Sequence, residues 1–99
     1  MTQLKNVLSH LKSSFSAKPH PRKGYIYAVT KGTYLGELLV YCKTMNESFG
    51  FLSMPKMLNR HIPTEKFQFG LENGIVDVVE RLPKNIYDVC LRQYNKNGL

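Results

Sequence analysis

The chain has 99 residues, a length that predicts one domain rather than two. Hydrophobic residues make up 42% and charged residues 21%. That balance excludes wholesale disorder and allows about two-thirds of the unfolded surface to be buried without disulfide staples. The formal net charge of +7 is uneven: Lys5, Lys12, Lys18, Arg22, Lys23 and Lys31 precede the first acid, Glu37, and the last 63 residues carry eight basic and seven acidic side chains.

A one-sided positive field points to a polyanionic partner. No apolar run approaches the ~18 residues that a membrane span needs, so no membrane partner is expected. The N-terminus lacks a continuous apolar core and a small-residue cleavage site. Secretion is therefore not expected, and a cytoplasmic location is. The segment is amphipathic, Ser-rich and acid-free, as transit peptides are, yet it has no Arg before Arg22. Ala is rare while Lys, Asn, Tyr and Phe are common. AT-rich genomes, including those of many bacteriophages, produce that bias.

The pattern Leu4, Val7, Leu8, Leu11 and Phe15 predicts an amphipathic helix over 1–17, capped by Thr2, with Lys5, Ser9, Lys12 and Ser16 on the opposite face. Pro19 and Pro21 stop it, and 18–24 reads as a stiff, extended, basic linker. From Tyr25 the chain turns to short β-rich runs, a core spanning 25–82. Strands are predicted over 25–30, 35–44 and 49–54, with a fourth over 57–62. In the second, Leu38, Val40 and Cys42 share one face and Leu39, Tyr41 and Lys43 the other. Thr64 is the expected cap of a short helix holding Phe67 and Leu71, closed by Asn73-Gly74. The run 75–82 fits helical spacing too, but its β-branched content and its bounds at Gly74 and Pro83 favour a strand. Pro83 opens a C-terminal helix over 83–95, with Ile86, Val89, Cys90 and Tyr94 facing the core and 95–99 frayed. Helix, four or five strands, helix is an α+β arrangement: a small SH3-like barrel or a bent antiparallel sheet flanked by N-terminal and C-terminal helices.

The stretch from Tyr27 to Tyr41 resembles a KOW motif, through its alternating apolar residues and the turn Gly32-x-Tyr34-x-Gly36. The two glycines suit a tight path with positive φ between strands. The resemblance covers about 15 residues and departs from the family at Leu39, where a glycine is usual, and at Leu35, where a basic residue is common. It implies an SH3-like barrel of the kind that contacts RNA, DNA or protein in ribosomal proteins and transcription factors.

The functional expectation is a non-catalytic protein that grips DNA or RNA through phosphates. Its contacts would be Lys5, Lys12, Lys18, His20, Arg22, Lys23 and Lys31, with Tyr34 stacking on a base. Tyr25 and Tyr27 read either as further stacking rings or as core. Lys43, Lys56 and Arg60 are candidates to extend the patch. The alternative is an interaction or inhibitor module that docks an acidic protein or a nucleic-acid-processing machine. A metal-free nuclease would need His20, His61 and Lys23 together. The scattered His and Cys residues give no chelate spacing, no cofactor motif is present, and Cys42 and Cys90 read as reduced core thiols.

Overall fold

A computed structural model describes residues 20–98. The N-terminal helix predicted over 1–17 lies outside the described residues. Five strands form one antiparallel sheet: β1 (Tyr25–Val29), β2 (Leu38–Thr44), β3 (Ser48–Ser53), β4 (Leu58–Pro63) and β5 (Val76–Arg81). Their order is β4-β3-β2-β1-β5. The first four strands make a meander. Helix α1 (Thr64–Glu72) then carries the chain across to the far edge, where β5 pairs with β1, and α2 (Lys84–Asn97) follows. The fold is thus α+β. The sheet is open, with β4 and β5 as its edges, and does not close into a barrel.

The alternation predicted for β2 explains the layers as far as Cys42; beyond it Lys43 pairs with Gly50 and so does not share the face of Leu39 and Tyr41. Leu39 and Tyr41 join Tyr27, Val29, Phe51, Ile62, Val76 and Phe67 of α1 in one core. Val40 and Cys42 join Ile26, Leu52, Cys90 and Tyr94 of α2 in a second core, on the other face. A sheet covered on both faces needs apolar side chains at consecutive positions, and Leu39 to Cys42 are all buried. Bulges interrupt the β1–β5 register at Ile26/Tyr27 and the β2–β3 register at Tyr41/Lys43. Each adds local twist and bend.

Several boundaries differ from expectation. Strand β2 starts at Leu38, not Leu35, because the N–H groups of Leu35 and Glu37 close turns instead of joining a strand ladder. Leu35 N–H donates to Gly32 (3.1 Å) and Glu37 N–H to Tyr34 (3.0 Å), while Gly32 and Gly36 take φ of 89° and 87°. Pro63, not Thr64, caps α1, with no side-chain bond. Helix α2 does not fray at 95. Asn97 Nδ2 donates to the Met57 carbonyl and to Asn59 Oδ1 (both 3.0 Å), and Asn59 Nδ2 donates to the Tyr94 carbonyl (2.9 Å), tying the last turn to β4.

The core face of α2 is also rotated. Cys90 and Tyr94 are buried as expected, but Ile86 and Val89 are 42% and 52% exposed. Tyr87 and Leu91 pack on the sheet instead. The helix carries two overlapping apolar stripes, and the one with two phenol rings buries more area. Tyr94 reaches the sheet over Gly50, where an added Cβ would collide with the Tyr94 hydroxyl and lie 2.8 Å from Cζ.

Candidate nucleic-acid interface

Lys5, Lys12 and Lys18 lie outside the described residues. The next members of the basic segment are docked rather than held out in an extended linker. His20 Nδ1 is 2.8 Å from the Tyr27 hydroxyl, which also accepts from the Arg22 N–H (2.7 Å). The His20 carbonyl accepts from Gln68 Nε2 of α1 (2.8 Å). Arg22 lies over the Tyr25 ring at 5.1 Å, and its carbonyl closes a turn with the Tyr25 N–H (3.1 Å). Tyr27 is fully buried against Phe51 and Phe67, so it is core and offers no face to a base. Burial, helped by the Arg22 charge, lowers the His20 pKa, which favours neutral imidazole. His20 is therefore part of the packing of this corner, a role its place between two prolines does not announce.

Lys23 and Lys31 are exposed and lie beyond the two ends of β1. At the first end, Lys23, Arg81 and Lys84 surround a shallow depression of about 580 Å³ that Gly24, Pro83 and Tyr87 also line. Lys84 Nζ is shared with Asp88 Oδ2 at 3.0 Å. At the second end is a cleft of about 290 Å³ between the 31–34 turn, α1 and the segment leading into β5. Val29, Ile62, Phe67, Ile75 and Val76 form its apolar wall, Tyr34 and Phe69 bring aromatic rings to it, and Lys31 and Lys66 line it too. No carboxylate lines either depression. Acids line a third, where Glu47 and Glu65 meet.

The cleft has a defined scaffold. Thr30 pins the turn to the α1–β5 loop: its N–H donates to the Ile75 carbonyl (2.8 Å) and its hydroxyl to the Gly74 carbonyl (2.7 Å). Gly70 lets α1 approach β5, since a Cβ there would stand 3.1 Å from Val76 Cγ2. Gln68 reaches His20, whereas Lys66, Phe69 and Gly70 line the cleft. At about 100° per residue, these positions occupy different flanks of α1. The structure thus brings Lys31 and Tyr34 together and sets them apart from His20 and Arg22.

Tyr34 is half-buried, with the Arg60 guanidinium 4.7 Å above its ring. Arg60 is committed elsewhere as well: its Nε and Nη2 donate to the two Glu37 oxygens at 3.0 and 2.9 Å. Lys56 Nζ is 3.8 Å from the same carboxylate. Arg60 and Lys56 therefore balance a buried acid, Glu37, and do not extend the basic patch as a loose surface cluster. The Arg60 hydrogen bond holds the Glu37 carboxyl below its ordinary value of 4.5, against the opposing effect of burial.

Phe69 and Lys66 were not singled out from the sequence. A signal existed: Phe67 and Phe69 are two residues apart in a helix, so both rings cannot enter the same core. Phe67 is 1% exposed and Phe69 59%.

His61 Nε2 is 3.0 Å from the Tyr94 hydroxyl, on the α2 face, whereas His20 bonds Tyr27 on the α1 face. The sheet separates the two histidines, so the nuclease arrangement of His20, His61 and Lys23 does not assemble. Cys42 and Cys90 are buried, unbridged thiols, and burial pushes Cys42 up to about 12. Among the described residues no three His, Cys, Asp or Glu side chains are placed to hold a metal, and no helix is long and apolar enough to cross a membrane. No family model, no curated protein and no solved structure matches the chain.

Proposed function

We propose that the protein binds nucleic acid through phosphate contacts and performs no chemistry on it. One observation carries this reading: the depressions beyond the two ends of β1 are lined by Lys31 and Lys66 and by Lys23, Arg81 and Lys84, with no carboxylate among the lining residues. Ammonium and guanidinium groups grouped without acids attract phosphate oxygens and release counterions on binding. Lys5, Lys12 and Lys18 extend the same sign of charge along the N-terminal segment. The Gly32-Tyr34-Gly36 turn, where the chain resembles a KOW module, supplies one wall of the cleft. That resemblance supports a nucleic-acid or protein contact at this place.

The test is fluorescence anisotropy of labelled DNA and RNA oligonucleotides across a salt titration, with Lys23→Glu/Lys31→Glu as the variant. Both side chains are exposed, so the variant is expected to fold. The reading predicts micromolar or tighter binding at ~150 mM salt and a loss of about tenfold or more in the variant. Binding that vanishes above ~50 mM salt, or that the variant leaves unchanged, refutes it.

A second reading, a module that docks a protein, is favoured by a different observation. Ile86 and Val89 stand exposed on α2, and Val79 is 50% exposed on the edge strand β5. Under that reading Ile86→Lys/Val89→Lys breaks a partner contact and leaves oligonucleotide binding unaltered.

A further inference from the structure

We infer that the cleft beside the 31–34 turn seats one unpaired nucleobase, which makes the protein a binder of single strands. This inference rests on the nucleic-acid reading and adds the class of strand. The cleft volume of about 290 Å³ lies at the small end of small-molecule pockets, which run from roughly 300 to 1,000 Å³. It suits a single planar ring system and excludes a duplex.

The composition of the walls matches the chemistry of a base attached to a phosphate. Phe69 leaves 59% of its surface to solvent at the cleft, a cost in water that a stacked base would relieve. Tyr34 stands on the turn side, its ring held by Arg60. A ring already fixed in place loses little entropy when a ligand stacks on it. Lys31 and Lys66 are exposed and line the same cleft, so two ammonium groups are available to the phosphates on either side of the inserted base. An uncharged apolar ligand would leave those lysines unused, and an acidic ligand without a ring would leave the aromatic wall wet. In duplex DNA or RNA the bases are stacked on their neighbours, and only phosphates could reach the cleft. Discrimination between strands therefore follows from the cleft, whereas affinity common to all nucleic acids follows from the lysines.

The experiment compares labelled 12-nucleotide oligo(dT) and oligo(U) with a 12-base-pair duplex, using the full chain, Phe69→Ala and Lys31→Glu/Lys66→Glu. Phe69 is mostly exposed, so its removal should leave the fold intact, and a thermal melt of each variant checks this. The same oligonucleotides carrying one 2-aminopurine report directly on a base that changes its stacking. The expected result is single-strand binding at least about tenfold tighter than duplex binding. Phe69→Ala should weaken the single strand by roughly 5- to 150-fold, the range for one lost stacking contact, while leaving the duplex unchanged. The 2-aminopurine signal should change with the native chain and not with Phe69→Ala. Lys31→Glu/Lys66→Glu should weaken both forms of nucleic acid. Equal affinity for single strand and duplex, or a single-strand preference indifferent to Phe69, overturns the cleft as the seat of a base and leaves the phosphate reading standing. Absence of binding to every oligonucleotide overturns both.

Discussion

Removing the Arg60 guanidinium tests whether the ion pair beneath the 32–37 turn is a structural necessity. Glu37 is 5% exposed and receives two hydrogen bonds from Arg60, at 3.0 and 2.9 Å. Deleting one partner of a buried pair typically costs about 3–5 kcal/mol, because a charge is left without compensation. Two features place Arg60→Ala at the lower end. The Arg60 side chain keeps 21% of its surface in water, and Lys56 remains 3.8 Å from the carboxylate. Loss of the contact with Tyr34 adds a fraction of a kcal/mol. The expected cost is about 3 kcal/mol, which for a domain of this size lowers Tm by about 12–24 °C.

The pH dependence gives a sharper signature. In the native protein Arg60 lowers the folded pKa of Glu37 below 4.5, so the pair's contribution is fully present above 4.5 and fades as pH falls through the folded pKa. In Arg60→Ala burial acts without its main opponent and raises the carboxyl pKa. Protonation then relieves the variant as pH falls. The Tm gap between the two proteins, measured by circular dichroism, should be wider at pH 7 than at pH 4 and should go on shrinking as pH falls toward the folded pKa of Glu37. A cost below about 0.5 kcal/mol, the size of an ordinary surface substitution, would refute the reasoning. So would a gap that is the same at both pH values.

Two other perturbations follow from the packing. Gly50→Ala forces Tyr94 off the sheet and should cost about 1–3 kcal/mol, read as a lower urea midpoint; an unchanged midpoint means Tyr94 does not need the close approach. Because the folded pKa of His20 lies below 6.5, the unfolded chain binds more protons as pH falls, and stability present above 6.5 is lost through the window down to the folded pKa. His20→Gln should flatten the slope of Tm against pH below 6.5, and an identical slope in both proteins removes His20 from that role.

What was legible in the sequence was whatever depends on local pattern. The period-two alternation of residues 38–42 assigns each of those β2 side chains to the face it occupies, whereas the bulge at Tyr41/Lys43 breaks the period and sets Lys43 opposite Gly50, on the α2 face rather than with Leu39 and Tyr41. The bounds Gly74 and Pro83 decide the strand at 76–81 against its helical spacing. The positive φ of Gly32 and Gly36 follows from glycines placed where a hairpin must turn. Illegible were the features set by which stripe or partner wins in three dimensions. Helix α2 offers Ile86 and Val89 as readily as Tyr87 and Leu91, and only the second core of the sheet selects between them. Glu37 and Arg60 are 23 residues apart, and no spacing rule pairs them. Gly50 and Gly70 did carry a signal, since a glycine inside a strand or helix marks a close approach, but not the identity of the group that approaches.

Charge shows the same division, and it fixes what a salt titration should return. Counted along the chain, every cation is a candidate phosphate contact. In the fold, Arg60 and Lys56 share Glu37, and Lys84 pairs with Asp88. Among the described residues this leaves Lys23, Lys31, Lys66 and Arg81 as the cations of the two depressions without such an ion pair. If these four alone neutralise phosphates, the log–log salt slope on a single strand is about −2.8. If Lys5, Lys12 and Lys18 also take part, seven contacts give about −4.9. Lys5→Gln/Lys12→Gln/Lys18→Gln should then move the slope from the larger value to the smaller without abolishing binding. A native slope already near −2.8 that this variant leaves unchanged would show that the two depressions beyond β1 carry the interaction and that the charge ahead of them does not.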